Sequence, residues 1–123
     1  MKKILKLSLL LITLTIVSCR KEQAAKIKNV ILNVTISAGT LYTLDLSQYG
    51  DADDLVEIVT QATTYTKSEI TQSKMPAIYT FLKDGNPKVV ENGNEVVVLK
   101  VYEPPTCRKH LDQTNITINF SIL

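Results

Sequence analysis

The sequence predicts an all-β chain, a single antiparallel sandwich of about seven short strands behind an export leader. Three observations predict it. Apolar and polar residues alternate in short runs, most clearly from Val30 to Ile36 and from Ile116 to Ile122. Turn dipeptides such as Ala38-Gly39, Asp84-Gly85 and Asn92-Gly93 separate such runs. No stretch beyond residue 19 carries apolar residues at helical spacing. Alternation with a period of two puts one set of side chains on each face of a strand, so each sheet has one apolar face that must meet another.

The elements follow in order. Lys2, Lys3 and Lys6 precede a nearly unbroken apolar run from Leu7 to Val17. A basic start, a short apolar run and small residues before a cut make a secretory leader. The run is shorter than the ~20 apolar residues that span a bilayer. Arg20 to Lys28 is polar and charged and reads as a tether. Val30, Leu32, Val34 and Ile36 then form the apolar side of a first strand, and Tyr42, Leu44 and Leu46 that of a second.

Gly50 to Asp54 is an acidic turn, after which Val56 and Ile58 mark a third strand. A fourth is expected near Glu69–Gln72 and a fifth from Ala77 to Leu82. Val89-Val90 would be a short edge strand between two turns. Val96 to Tyr102 is the most apolar run of the domain, with Val97, Leu99 and Val101 on one face, which places it centrally. Pro104-Pro105 stops it, because proline cannot donate to a ladder. A loop leads to the last strand, with Ile116, Ile118, Phe120 and Ile122 inward.

At the leader's end, Ile16-Val17-Ser18-Cys19 resembles the lipobox of bacterial lipoproteins: an aliphatic residue, a variable one, a small one, then cysteine. The resemblance implies cleavage between Ser18 and Cys19 and acylation of the Cys19 sulfur, as in palmitate-bearing lipoproteins. A single acyl chain holds a protein only reversibly, whereas two or more hold it firmly. Arg20, in place of the aspartate that retains many lipoproteins in the inner membrane, implies the outer membrane. Arg20-Lys21-Glu22-Gln23 lacks the acidic run tied to surface export in Bacteroidota, so the periplasmic face is expected, with the cell surface as the other option. The expected organisation is a signal peptide at 1–18, a lipidated tether at 19–28 and one domain at 29–123.

A second resemblance covers the domain. Ala38-Gly39, Tyr42, Leu44-Asp45-Leu46 and Tyr49-Gly50 look like the opening of immunoglobulin-like or cadherin-like modules of Bacteroidota envelope proteins. Ile78-Tyr79-Thr80-Phe81 and the run Glu95 to Tyr102 sit where those modules carry later strands. The resemblance implies an immunoglobulin-like sandwich used for adhesion, spacing or ligand binding, with no catalytic residues to transfer.

Composition narrows the function. The whole chain is formally +2, but removing residues 1–18 removes three lysines and leaves 14 less 3, or 11, basic residues against 12 acidic. No basic stripe interleaved with aromatics exists, so nucleic acid is not an expected partner. With Cys19 acylated, Cys107 has no partner for an internal disulfide.

Candidate metal ligands are Asp51, Asp53 and Asp54 in the acidic turn, and Cys107 with His110. Carboxylates suit a hard cation such as calcium, but an EF-hand loop needs Gly at its sixth position and Glu at its twelfth, where this chain has Val56 and Ala62. Cys107 and His110 are half of a structural zinc site, with no second pair. The sequence therefore assigns no metal and no cofactor. Asp45, Glu57, Glu69 and His110 are not spaced as catalytic partners, and no nucleophile elbow is present. Asn33, Asn115 and Asn119 begin glycosylation-type triplets inside strands, which are expected to be chance matches. The five tyrosines are offered either as a binding face or as ordinary sheet residues. The expected function is a non-enzymatic, lipid-anchored interaction, assembly or adhesion module with an envelope protein as partner. The alternative is a small ligand- or metal-binding lipoprotein.

Overall fold

The computed structural model describes residues 26–84, 93–105 and 112–123. Among these residues seven strands form: β1 (Ile27–Ile36), β2 (Tyr42–Asp45), β3 (Leu55–Thr60), β4 (Lys67–Ile70), β5 (Ile78–Leu82), β6 (Asn94–Tyr102) and β7 (Gln113–Ile122). They make two sheets, ordered β1-β7-β6-β3 and β2-β5-β4. Strands two, five and four facing seven, six and three is the immunoglobulin arrangement, with the first strand moved to the larger sheet. The signal peptide, Ser18, Cys19, the Val89-Val90 strand, Cys107 and His110 all lie outside the described residues.

One expectation is corrected. The sandwich is not wholly antiparallel: β1 runs parallel to β7 along its full length, Ile27 beside Gln113 and Ile36 beside Ile122. Alternation reports that one face is buried, and is silent on a neighbour's direction. Strand β1 also starts at Ile27, before the apolar series begins at Val30.

Strand β2 ends earlier than its alternation suggests. The Asp45 carboxylate accepts a hydrogen bond from the Ser47 backbone N–H at 3.0 Å, which turns Leu46–Tyr49 into a 3-10 helix. Aspartate commonly diverts the backbone in this way. Leu46 remains fully buried all the same. In β3 a bulge between Ile58 and Thr60 inserts Val59, which turns outward. Gly39 makes the crossing from β1 to β2 at φ +84°, a conformation glycine adopts without a Cβ clash.

The core lies between the sheets. Tyr79 and Phe81 of β5 meet Val97, Leu99 and Val101 of β6 and Ile116, Ile118 and Phe120 of β7, all essentially solvent-free. Phe81 stacks on Phe120 with ring centroids 4.2 Å apart, and Tyr42 meets Phe120 edge-on at 5.2 Å. Val30, Leu32, Val34 and Ile36 pack against this core only half-buried, because β1 is an edge strand.

A polar network fastens the upper end. Glu95 at the start of β6 is 3% exposed, and its carboxylate accepts hydrogen bonds from Thr63 N (2.8 Å), Thr64 N (3.1 Å), Thr64 Oγ1 (2.7 Å) and Thr63 Oγ1. Lys83 Nζ adds an ion pair at 3.4 Å. Burial by itself would raise the Glu95 pKa. The Thr64 and Thr63 donors more than offset that and hold it at about 2. The network joins the β3–β4 connection to β5 and β6, and so ties one sheet to the other. Below it, the Tyr79 hydroxyl meets Ser68 Oγ at 2.7 Å, and Ser68 in turn donates to Gln61. Burial pushes the Tyr79 hydroxyl up to about 12.

Candidate functional site

Strand β1 is ten residues long, so the two ends of the sandwich stand about 33 Å apart. Lys26, where the described chain begins, sits at the lower end: Gln113 N donates to Lys26 O at 2.9 Å, and Lys26 N reaches Asp112 at 3.3 Å. The β2–β3 connection and the exit of β6 share that end, since Leu55 pairs with Tyr102 and Tyr102 with Gln113.

The β2–β3 connection folds on itself there. Asp51 N donates to Asp54 Oδ2 at 2.7 Å, and Asp54 N donates to Asp51 O at 3.1 Å. Met75 N donates to Asp54 O at 2.8 Å, anchoring the turn to the β4–β5 connection. Gly50 lies hard against the same carboxylate. A Cβ at this position would stand 2.6 Å from Asp54 Oδ2 and 2.6 Å from Val101 Cγ1. These contacts sink Asp54 to 6% exposure.

Glu103 arrives from β6. One carboxylate oxygen from each of Asp51, Asp54 and Glu103 lies within 4.8 Å of the others. Asp54 Oδ1 and Glu103 Oε2 are both buried and have no hydrogen-bond partner among the described residues. None of the three carboxylates forms an ion pair among the described residues. Beside them Ser47, Gly50, Ala52, Met75 and Pro76 line a mainly apolar recess of about 350 Å³.

The acidic turn therefore divides. Asp51 and Asp54 join the cluster, while Asp53 pairs with Lys74 at 3.5 Å in the open. Glu103 was not anticipated. It lies far along the chain, and only the pairing of β3 with β6 carries it beside Asp54. The available signal was an acid set between the central strand and Pro104-Pro105.

A second surface is the outer face of the four-stranded sheet. Ile31, Val59 and Val96 stand exposed there at 67%, 56% and 45%. Amide pairs flank Ile31, and one lies beside Val96, while Val59 stands on the opposite edge strand: Asn115 donates to Asn29 at 3.2 Å, and Asn119 to Asn33 at 3.1 Å. The asparagines of the glycosylation-type triplets are thus rungs of this sheet. Toward the lower end the face hollows into a concavity of about 470 Å³, where Glu57 pairs with Lys100 at 3.8 Å and Lys100 lies 4.6 Å from the Tyr102 ring centroid.

The remaining candidates stay apart. Glu57 holds Lys100, Glu69 pairs with Lys67 at 3.3 Å, and Asp45 caps the 3-10 helix. Ser47 donors hold the Asp45 carboxyl below its ordinary range. The tyrosines form no common face, with Tyr79 in the core, Tyr42 on Phe120, Tyr102 under Lys100 and Tyr65 exposed in the β3–β4 connection. Among the described residues no helix is long and apolar enough to cross a membrane. No family model, curated protein or solved structure matches the chain.

Proposed function

We propose that this protein is a lipid-anchored, non-enzymatic envelope lipoprotein that works as an interaction, assembly or adhesion-type module. The outer face of the four-stranded sheet carries the reading. It carries exposed Ile31 and Val96 beside two hydrogen-bonded asparagine pairs, with exposed Val59 on the opposite edge strand, so apolar and polar side chains interleave across the face. Protein interfaces mix apolar and polar surface in this way.

The anchor agrees with this placement. The lipobox-like Ile16-Val17-Ser18-Cys19 lies a short polar stretch before Lys26, so acylated Cys19 tethers the domain by its lower end. The outer face is then open to an envelope protein on the periplasmic side of the outer membrane.

Two measurements test the reading. Mass spectrometry of the processed chain is expected to find acylated Cys19 as the first residue, and Cys19→Ser to release the protein from membranes. Crosslinking in intact cells is expected to give a discrete envelope adduct that Ile31→Ser with Val96→Ser abolishes while the melting temperature holds. A retained leader, or an adduct indifferent to both substitutions, would overturn it.

A further inference from the structure

We infer that Asp51, Asp54 and Glu103 form a binding site for a calcium-class divalent cation at the lower end of the sandwich. The inference stands on geometry and does not depend on lipidation or on the outer face. Three carboxylates meet with oxygens within 4.8 Å of one another. A cation with oxygen ligands at 2.3–2.6 Å spans up to about 5 Å between opposite ligands, so a single ion touches all three.

Proximity alone would not make a site, since exposed acids often gather without one. The second observation is burial without a partner. Asp54 is 6% exposed, its Oδ2 is taken by the Asp51 N–H, and its Oδ1 has no partner among the described residues. Glu103 Oε2 is in the same condition. A buried carboxylate oxygen with no donor forfeits its hydration for nothing, a cost of a kind folded proteins rarely leave standing. Here two such oxygens belong to two members of one cluster. A cation held by the cluster offsets the repulsion among its carboxylates and places a positive charge beside both oxygens.

The ligand chemistry selects the metal class. All three donors are hard carboxylate oxygens, which suit calcium and magnesium rather than thiolate- or imidazole-seeking metals. Asp51 is exposed and the turn is irregular, so water and backbone carbonyls can complete the six to eight ligands that calcium takes. Magnesium demands a tighter octahedron and gives up its waters reluctantly. The ion would clasp the β2–β3 connection to the exit of β6, strands that already pair at Leu55 and Tyr102.

The full chain purified in detergent with chelator provides the test. Calcium chloride is titrated by calorimetry, with magnesium chloride in a parallel titration, and the melting temperature is followed in both. One calcium per chain is expected, with a dissociation constant on the order of 0.1–1 mM, the weak end of the range for calcium sites, because few protein carboxylates hold it. At tenfold excess over that constant the melting temperature should rise by about 5 °C or more. Asp54→Asn keeps an acceptor for Asp51 N and should abolish the response. Asp51→Asn, at an exposed position, should weaken binding at least tenfold with the calcium-free melting temperature unchanged. The inference falls if calcium gives neither heat nor a shift. It falls equally if the response survives both substitutions, or if magnesium reproduces it at the same concentrations.

Discussion

Replacing Glu95 by Gln should cost this domain about 3 kcal/mol at neutral pH, and most of that cost should vanish in acid. The substitution keeps the side chain's shape and removes its charge. In the native protein the carboxylate is 3% exposed and accepts from two backbone N–H groups and two hydroxyls, with Lys83 Nζ at 3.4 Å. A glutamine amide turns an N–H toward donors that need an acceptor.

Two routes give the magnitude. By linkage, a carboxyl held at about 2 against an ordinary 4.5 stabilises the fold by roughly 3 kcal/mol once ionised in both states. Removing one member of a buried charged network typically costs ~3–5 kcal/mol. The sign fixes the pH window. The folded-state pKa lies below the unfolded one, so the stabilisation is complete above about 4.5 and is lost as pH falls toward about 2.

Urea unfolding followed by far-ultraviolet circular dichroism, on wild type and Glu95→Gln in parallel, reads this out. The stability difference should be near 3 kcal/mol at about pH 7, and it should shrink steadily between about pH 4.5 and pH 2.5. A difference below about 1 kcal/mol at neutral pH would refute the argument. So would a difference that does not change with acid, since the cost would then come from shape and not from charge.

Other predictions follow from the same contacts. Phe120→Ala removes the ring that stacks on Phe81 and meets Tyr42, and should cost ~3–5 kcal/mol in chemical unfolding; Leu99→Ala, also fully buried, should cost ~2–5 kcal/mol. Gly50→Ala drives a methyl to 2.6 Å from Asp54 Oδ2 and Val101 Cγ1, so a loss of about 1–3 kcal/mol is expected on thermal melting, although φ near −168° suits alanine. Tyr79→Phe unlinks the Ser68–Gln61 chain and should lose about 1 kcal/mol. With the Tyr79 hydroxyl raised to about 12, stability should hold below about pH 10 and decline as pH climbs toward 12, in step with a late tyrosine in an absorbance titration.

How far the residues announced this architecture varies from element to element. Val97, Leu99 and Val101 declare themselves by alternation, and so do Ile116, Ile118, Phe120 and Ile122; the same residues fill the core. Asp45 shows the limit of that reasoning. Its side chain captured the Ser47 N–H and ended β2 before Leu46, a local contest that periodicity does not weigh. The acidic turn was visible as three aspartates. That Asp53 would leave it for Lys74 and Glu103 would enter it was not.

By itself the sequence determined the all-β class, the main strands and which side chains face inward. Those properties depend on the pleat of a strand and on apolar area, both set within a few neighbouring residues. Only the tertiary structure decided that β1 lies parallel to β7, that Glu95 receives the β3–β4 connection, and that Asp54 and Glu103 each bring to one corner a buried carboxylate oxygen with no donor among the described residues. Each of these depends on which sheet edges meet and which loops close over them. That is a matter of contacts between residues distant in the chain, and no local pattern encodes it.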